Sequence, residues 1–274
     1  MNNDTQIQEV YEYWNKNPLH SIEFPQDQIT KEYFDQIDDV RWNENELWSQ
    51  STFYNLKGNS NTKILDAGCG IGVFTRYYAR KGFNVTAIDL TQKAIELTQL
   101  SLKLNNLNAE VKQASVENLP LESNTFDYIV SNGVIHHTPQ TEKAVSEFYR
   151  ILKPGGKATV AVYYRNGLLR FPLWPLVRAL LPLLLKKLRG REKFLDVKTP
   201  EDFVRVYDGN NTPIAKVYTK KQTKKLFANF RILAMEPHYF PIRFLKGFKR
   251  GGWVHSILDN CFGCLIYVLL EKPA

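Results

Sequence analysis

Asp66, Gly68, Gly70 and Gly72, followed about 20 residues on by Asp89, are the residues whose types and spacing point most directly to ligand chemistry. Glycines at alternate positions of the run Lys63-Ile-Leu-Asp-Ala-Gly-Cys-Gly-Ile-Gly72 allow a tight turn and a close approach of backbone to ligand. The spacing is G-x-G-x-G and lacks the interval of G-x-G-x-x-G. A carboxylate directly before the turn repels a pyrophosphate and attracts a cation, so the expected ligand is nucleotide-like and carries positive charge. Asp89 is placed to accept hydrogen bonds from ribose hydroxyls. His136 and His137 supply imidazoles, and an unperturbed imidazole titrates near neutral pH, which suits the holding or removal of a proton.

Regular elements must position these groups. Ile64 and Leu65 read as a buried strand that stops at Asp66, residues 73–81 as a helix closed by Gly82, and residues 84–88 as a second strand. A helix follows with Ala94, Leu97, Leu100 and Leu104 on one side, then a strand over 109–114 leading to Ser115-Val116-Glu117. A fourth strand over 126–131 delivers Ser131, Asn132 and the two histidines to the carboxyl edge, where open α/β sheets bind ligands. A helix over 141–152, a Pro154-Gly155-Gly156 turn and a strand over 157–164 continue the alternation, and two later strands, 231–237 and 263–270, complete the pattern.

Four segments in this order, ILDAGCGIG (64–72), VTAIDL (85–90), SVENLPLESNTFDYIVSNGVIHH (115–137) and ILKPGGKATV (151–160), resemble the class I S-adenosylmethionine-dependent methyltransferases. The resemblance is to the small-molecule, ubiquinone/menaquinone-type branch. It implies an α/β fold: a Rossmann-like, doubly wound, seven-stranded sheet with its last strand antiparallel, an N-terminal helical lid and an inserted helical cap. The implied cofactor is S-adenosylmethionine, with S-adenosylhomocysteine as product. By family position Asp66 and the turn of Gly68, Gly70 and Gly72 hold its amino-acid end, Asp89 the ribose, and Ser115 and Val116 the adenine; Leu90 is a further cofactor-binding candidate, and Ser131 and Asn132, at the carboxyl edge, are candidates to line the sulfonium end. Family members usually carry an acidic residue where this chain has Ser115, so Glu117 or backbone is expected to share the adenine contact. The His-His pair recurs in the family with different substrates, which leaves scaffold duty and base catalysis both open for His136 and His137.

The 274 residues suffice for one large α/β domain with additions, divided here into 1–62 (lid), 63–164 (cofactor-binding core), 165–219 (insertion) and 220–274 (rest of the sheet). Net charge runs from −7 over 1–62 through +2 over 63–164 to +13 over 165–274. The basic half suits an anionic substrate, nucleic acid or a membrane surface, unless it faces the acidic N-terminal segment of its own chain. Three cysteines and a polar N-terminus without an apolar run fit a cytoplasmic protein. Cys261-x-x-Cys264 lacks the second pair of a zinc site and reads as core packing; no metal is expected.

Ile7, Val10, Tyr11 and Trp14 share one helical face, and the aromatic groups Tyr11, Tyr13 and Trp14 are candidates for a lid over a sulfonium or an adenine ring. Helices are also expected near 30–40 and 44–56. The 165–219 insertion is leucine-rich between 168 and 188, is broken by Arg170, Arg178 and three prolines, and runs into a basic cluster. It reads as a pocket cap, with peripheral membrane contact through 168–193 or a dimer contact as alternatives. Tyr207, Asp208 and Tyr218 are candidate substrate contacts. The expected function is methyl transfer to a small-molecule acceptor, anionic or lipid-like. A transfer-RNA methyltransferase and a non-catalytic cofactor-binding scaffold stand as the alternatives.

Overall fold

The computed structural model describes residues 2–18, 29–45, 50–185, 196–207, 211–240 and 253–274. Its centre is a seven-stranded sheet in the order β3-β2-β1-β4-β5-β7-β6. The strands are β1 (Lys63–Ala67), β2 (Asn84–Asp89), β3 (Glu110–Gln113), β4 (Phe126–Asn132), β5 (Leu152–Tyr163), β6 (Arg231–His238) and β7 (Leu265–Glu271). Strands β1 to β5 pair in parallel, and β7 runs antiparallel between β5 and β6. The strand order reverses at β1, which lies between β2 and β4, and such a switch point opens a crevice at the carboxyl ends of the strands.

Helices α3 (Val73–Arg80), α4 (Gln92–Leu104), α5 (Thr141–Ile151) and α8 (Lys220–Leu226) flank the sheet. Side chains alternate along β1, so Leu65 and Ala67 join the core under α5 while Ile64 joins the core under α2 (Lys31–Asp39), α3 and α4. Asp66 shares the parity of Ile64 and therefore points beneath α3. Thr91 caps α4 by accepting from the Ala94 amide. The buried stripe of α4 is Ala94, Ile95, Leu97, Thr98, Ser101 and Leu102; Leu100 and Leu104, expected on that face, lie at its partly buried margin. Polar Thr98 and Ser101 are buried because the glycine turn needs small and hydrogen-bonding neighbours there.

The N-terminal segment is helical as expected in α1 (Asn3–Lys16) and α2. A π-helical turn extends α2 over Val40–Asn45, and another occupies Gln50–Tyr54 in place of the regular helix expected over 44–56. Asp35 and Asp38 of α2 pair with Arg76 and Arg80 of α3, so part of the N-terminal acidity is met by the core. The insertion contains α6 (Leu173–Leu185) and α7 (Pro200–Tyr207), and Leu169, Val204, Ala215 and Val217 pack against Tyr163 at the end of β5. Cys261 is exposed on α9 (Trp253–Phe262) and Cys264 is partly buried, so the first of the pair is not core packing.

Candidate active site

The glycine turn is held from both sides. The Gly68 and Cys69 amides both donate to the Ile88 carbonyl at 2.8 Å, the Gly70 amide donates to Asp89 Oδ2 at 3.0 Å, and Thr98 Oγ1 donates to the Gly70 carbonyl at 3.0 Å. Asp89 Oδ1 accepts from the Thr91 amide and hydroxyl, both at 2.9 Å. Burial pushes the Asp89 carboxyl up, and these N–H donors oppose the shift. Oδ2, with one donor in place, retains room to accept another hydrogen bond.

A crevice opens beyond this turn. Its floor is Gly68, Gly70, Asp89 and Leu90; Ser115 and Val116 form one wall, and Asn132, Gly133, Val134 and His137 the other. Val10, Trp14 and Pro18 close it from the N-terminal side. Among the described lining residues there is no lysine or arginine, while a carboxylate is present, which suits a cation and disfavours a pyrophosphate. Gly70 has φ +55°, and a Cβ built on it meets nothing within 4 Å. The backbone there borders open space that a ligand can occupy, and the residues present fit S-adenosylmethionine.

Several expected site residues sit elsewhere. Asp66 is 2% exposed, does not line the crevice and accepts from Thr75 Oγ1 at 2.6 Å, because it is still within β1 and faces α3. Burial pushes its carboxyl up to about 7; the nearby Asp89 charge adds to this, and the Thr75 hydrogen bond opposes it. Gly72 faces away from the crevice, with a built Cβ only 3.1 Å from Thr98 and Ser101, so its bareness serves the packing of α4. Glu117 turns inward and accepts from the Gln140 amide at 2.6 Å, fixing the start of α5 rather than an adenine. Ser115 does line the crevice, but its hydroxyl is engaged in accepting from the Glu117 amide at 3.2 Å. Ser131 is buried and donates to the Ala67 carbonyl.

The two histidines part company. His136 lies in the core, its ring 4.2 Å from those of both His137 and Tyr163 and both nitrogens without a hydrogen-bond partner. Burial holds its pKa well below the ordinary value, with the neighbouring His137 adding to the effect. His137 reaches the crevice, and its Nδ1 lies 2.6 Å from the Ile214 carbonyl. A carbonyl only accepts, so Nδ1 carries the proton and Nε2 of the neutral ring bears the lone pair. The Ile214 strap belongs to the insertion, which returns alongside the His-His turn: the Lys216 amide donates to the His136 carbonyl, and Lys216 Nζ to the Pro139 carbonyl at 2.7 Å.

Of the lid aromatics, Trp14 lines the crevice with its ring 5.1 Å from that of His137. Tyr13 packs edge-on against Trp14 outside the lining, and Tyr11 is not part of it. Asn15 Oδ1 accepts from the Lys93 amide at 3.0 Å, which ties the end of α1 to the start of α4. Tyr218 donates to Thr141 Oγ1 at 3.1 Å and is a packing partner of α5, away from the crevice. Tyr207 ends α7, and Asp208 lies outside the described residues. Sequence reasoning missed Thr91 and Thr138 as lining residues; the first had a signal, since Thr91 precedes a helix in the N-cap position.

Asp66 carries a pH prediction. Its folded pKa is raised well above the ordinary carboxyl value, so between roughly pH 4 and 7 the native state binds more protons than the unfolded one. Stability is therefore greatest below the unfolded value, declines as pH rises through this window and is flat above it. Against wild type, Asp66→Asn is expected to flatten denaturation midpoints measured from pH 4 to 8, removing a slope worth up to ~4 kcal/mol. An unchanged slope would place the titrating group elsewhere.

Residues 65–160 match the family model described as a methyltransferase domain. The chain is 34% identical over 101 residues to a malonyl-[acyl-carrier protein] O-methyltransferase of Pectobacterium atrosepticum, a match that covers 37% of this chain and 38% of that protein. It is 33% identical over 156 residues to phosphoethanolamine N-methyltransferase 2 of Caenorhabditis elegans, covering 55% and 34% respectively. The chain thus spans well under half the length of these curated relatives. In fold it is similar to a solved S-adenosylmethionine-dependent methyltransferase of Methanosarcina mazei, with a TM-score of 0.54 at 22% identity over 79% of this chain and 94% of that one. The matched domain, the strand order and the Gly70–Asp89 crevice agree with one another: residues 65–160 form a methyltransferase domain, and the fold around it is that of solved S-adenosylmethionine-dependent methyltransferases.

Proposed function

We propose that the protein transfers a methyl group from S-adenosylmethionine to a small-molecule acceptor of anionic or lipid-like character. The observation that carries this reading is the convergence of the bare Gly70 backbone, the Asp89 carboxylate and His137 on one crevice whose described lining holds no lysine or arginine. Asp89 would hold the ribose, Leu90 and Val116 the adenine, and the glycine turn with Asn132 the amino-acid and sulfonium end. The bound sulfonium supplies an activated methyl group, so the chain's own contribution is positioning and exclusion of water. Trp14, Val10 and Pro18 exclude water from the N-terminal side. Asn132 is fixed by Nδ2 donating to the hydroxyls of Tyr54 at 2.7 Å and Tyr267 at 3.4 Å.

His137 is the group proposed to take the acceptor's proton at Nε2, with the Ile214 carbonyl keeping the ring in the required tautomer. Replacement by alanine is expected to lower kcat by about 10²- to 10⁴-fold while S-adenosylmethionine affinity stays within a few-fold. An unchanged kcat would reduce His137 to packing beside Trp14. The curated relatives include an O- and an N-methyltransferase by name, so the acceptor atom is an experimental question. Methyl-labelled S-adenosylmethionine offered with a panel of carboxylates, phenols, amines, lipid extract and transfer RNA tests the reading. Label in a small acceptor supports it; label in transfer RNA alone favours the RNA enzyme, and cofactor binding without transfer favours a scaffold.

A further inference from the structure

Helix α6 is apolar on the side where a surface helix of a folded domain is usually polar. Leu173, Leu176 and Leu180 fall at i, i+3 and i+7 and are 42%, 57% and 41% exposed, and Phe171 just before them is 88% exposed. Trp174 holds the other side, with Nε1 donating to the Lys198 carbonyl at 3.4 Å and its ring 6.1 Å from that of Phe203. A contiguous apolar stripe of this kind marks an interaction surface. At 13 residues the helix is ~20 Å long, short of the ~30 Å hydrocarbon core of a bilayer. None of the described helices is long and apolar enough to cross a membrane.

Charge selects the occupant. Arg178 is exposed on α6 and makes no ion pair among the described residues, and in sequence the helix is followed by Lys186, Lys187, Arg189, Arg191 and Lys193 against the single acid Glu192. The 165–274 half carries a net charge of +13. A two-fold self-contact through α6 would bring two such basic segments together, whereas an anionic surface attracts both. Helix α9 adds a second apolar position. Its Ile257 is 53% exposed, and its end is tied to the turn that precedes α6, where Asn166 Nδ2 donates to the Phe262 carbonyl at 3.0 Å and the Gly263 carbonyl at 3.2 Å.

We infer that the Phe171–Leu180 face is a docking surface for an anionic lipid bilayer, on which α6 lies in the interface plane with its leucines in the acyl boundary. The inference stands apart from the identity of the acceptor. It is tested by co-sedimenting the full chain with phosphatidylcholine vesicles containing phosphatidylglycerol, and with phosphatidylcholine vesicles alone. Wild type is expected to bind the mixed vesicles and to bind pure phosphatidylcholine at least about tenfold more weakly. F171S/L176S is expected to lose about tenfold or more in affinity for the mixed vesicles, with S-adenosylmethionine titration and thermal melting reporting that it is folded. Four results would overturn the proposal: no binding to mixed vesicles, no preference for them, equal binding by the variant, or a wild-type dimer that the variant dissociates. The last would make the face a contact between copies of the chain.

Discussion

Asp38→Ala is expected to lower unfolding stability by about 3–5 kcal/mol, the cost of leaving one member of a buried ion pair without the other. Arg76 is fully buried. Its Nε donates to Asp38 Oδ2 at 2.9 Å, its Nη2 to Asp38 Oδ1, and its Nη1 to the Ile71 carbonyl at 2.6 Å, while the guanidinium lies 4.9 Å from the centre of the Phe34 ring. Without Asp38 the charge keeps one carbonyl and one aromatic face. The opposite change is milder, because Asp38 Oδ2 also accepts from Arg80 at 2.6 Å; Arg76→Met is expected to cost about 2 kcal/mol. The double change to leucine and methionine should recover much of the larger loss, since an apolar pair of similar volume carries no desolvation penalty. Urea denaturation of the three variants checks the ranking. Equal costs for the two single changes would mean that Arg80 does not compensate.

Gly70→Ala separates cofactor binding from stability. The left-handed conformation costs a non-glycine residue roughly 1–2 kcal/mol, and the added methyl meets no protein atom within 4 Å. The same methyl enters the space assigned to the cofactor, so affinity for S-adenosylmethionine is expected to fall on the order of 100-fold. Gly68→Ala is expected to act on the fold first. Its φ is +88°, and a Cβ would lie 2.4 Å from a Val134 methyl, so its loss of stability is expected to be larger, about 2–4 kcal/mol. Paired melting curves and titrations read both quantities. A Gly70→Ala protein that binds as tightly as wild type would move the cofactor away from the glycine turn.

Local signals made the sheet and the candidate crevice legible: a short apolar run ending at spaced glycines, a second run ending in Asp89, and the Asn132–His137 segment at a strand's end. Facing was harder to read. Asp66 lies one residue inside the strand rather than at its end, and period-two geometry then turns it under α3. Gly68, Gly70 and Gly72 look equivalent in sequence, yet they meet Val134, open space and α4 respectively. His136 and His137 are adjacent, but only the second reaches the crevice, and the Ile214 carbonyl that fixes it comes from 77 positions away. Arg76 and Asp38 are 38 positions apart and fall on no common period. Such long-range pairings depend on how elements pack, which periodicity does not encode. The insertion was legible as apolar and basic; its attachment along the His-His turn emerged only from the long-range hydrogen bonds of Ile214 and Lys216.

The central claim is that the Gly70–Asp89 crevice is an S-adenosylmethionine site, and calorimetric titration of the full chain with S-adenosylmethionine and S-adenosylhomocysteine tests it most directly. One-to-one saturable binding of both, weakened in Gly70→Ala without a matching loss of melting temperature, is the predicted result. Failure of the folded wild-type protein to bind either compound would contradict it.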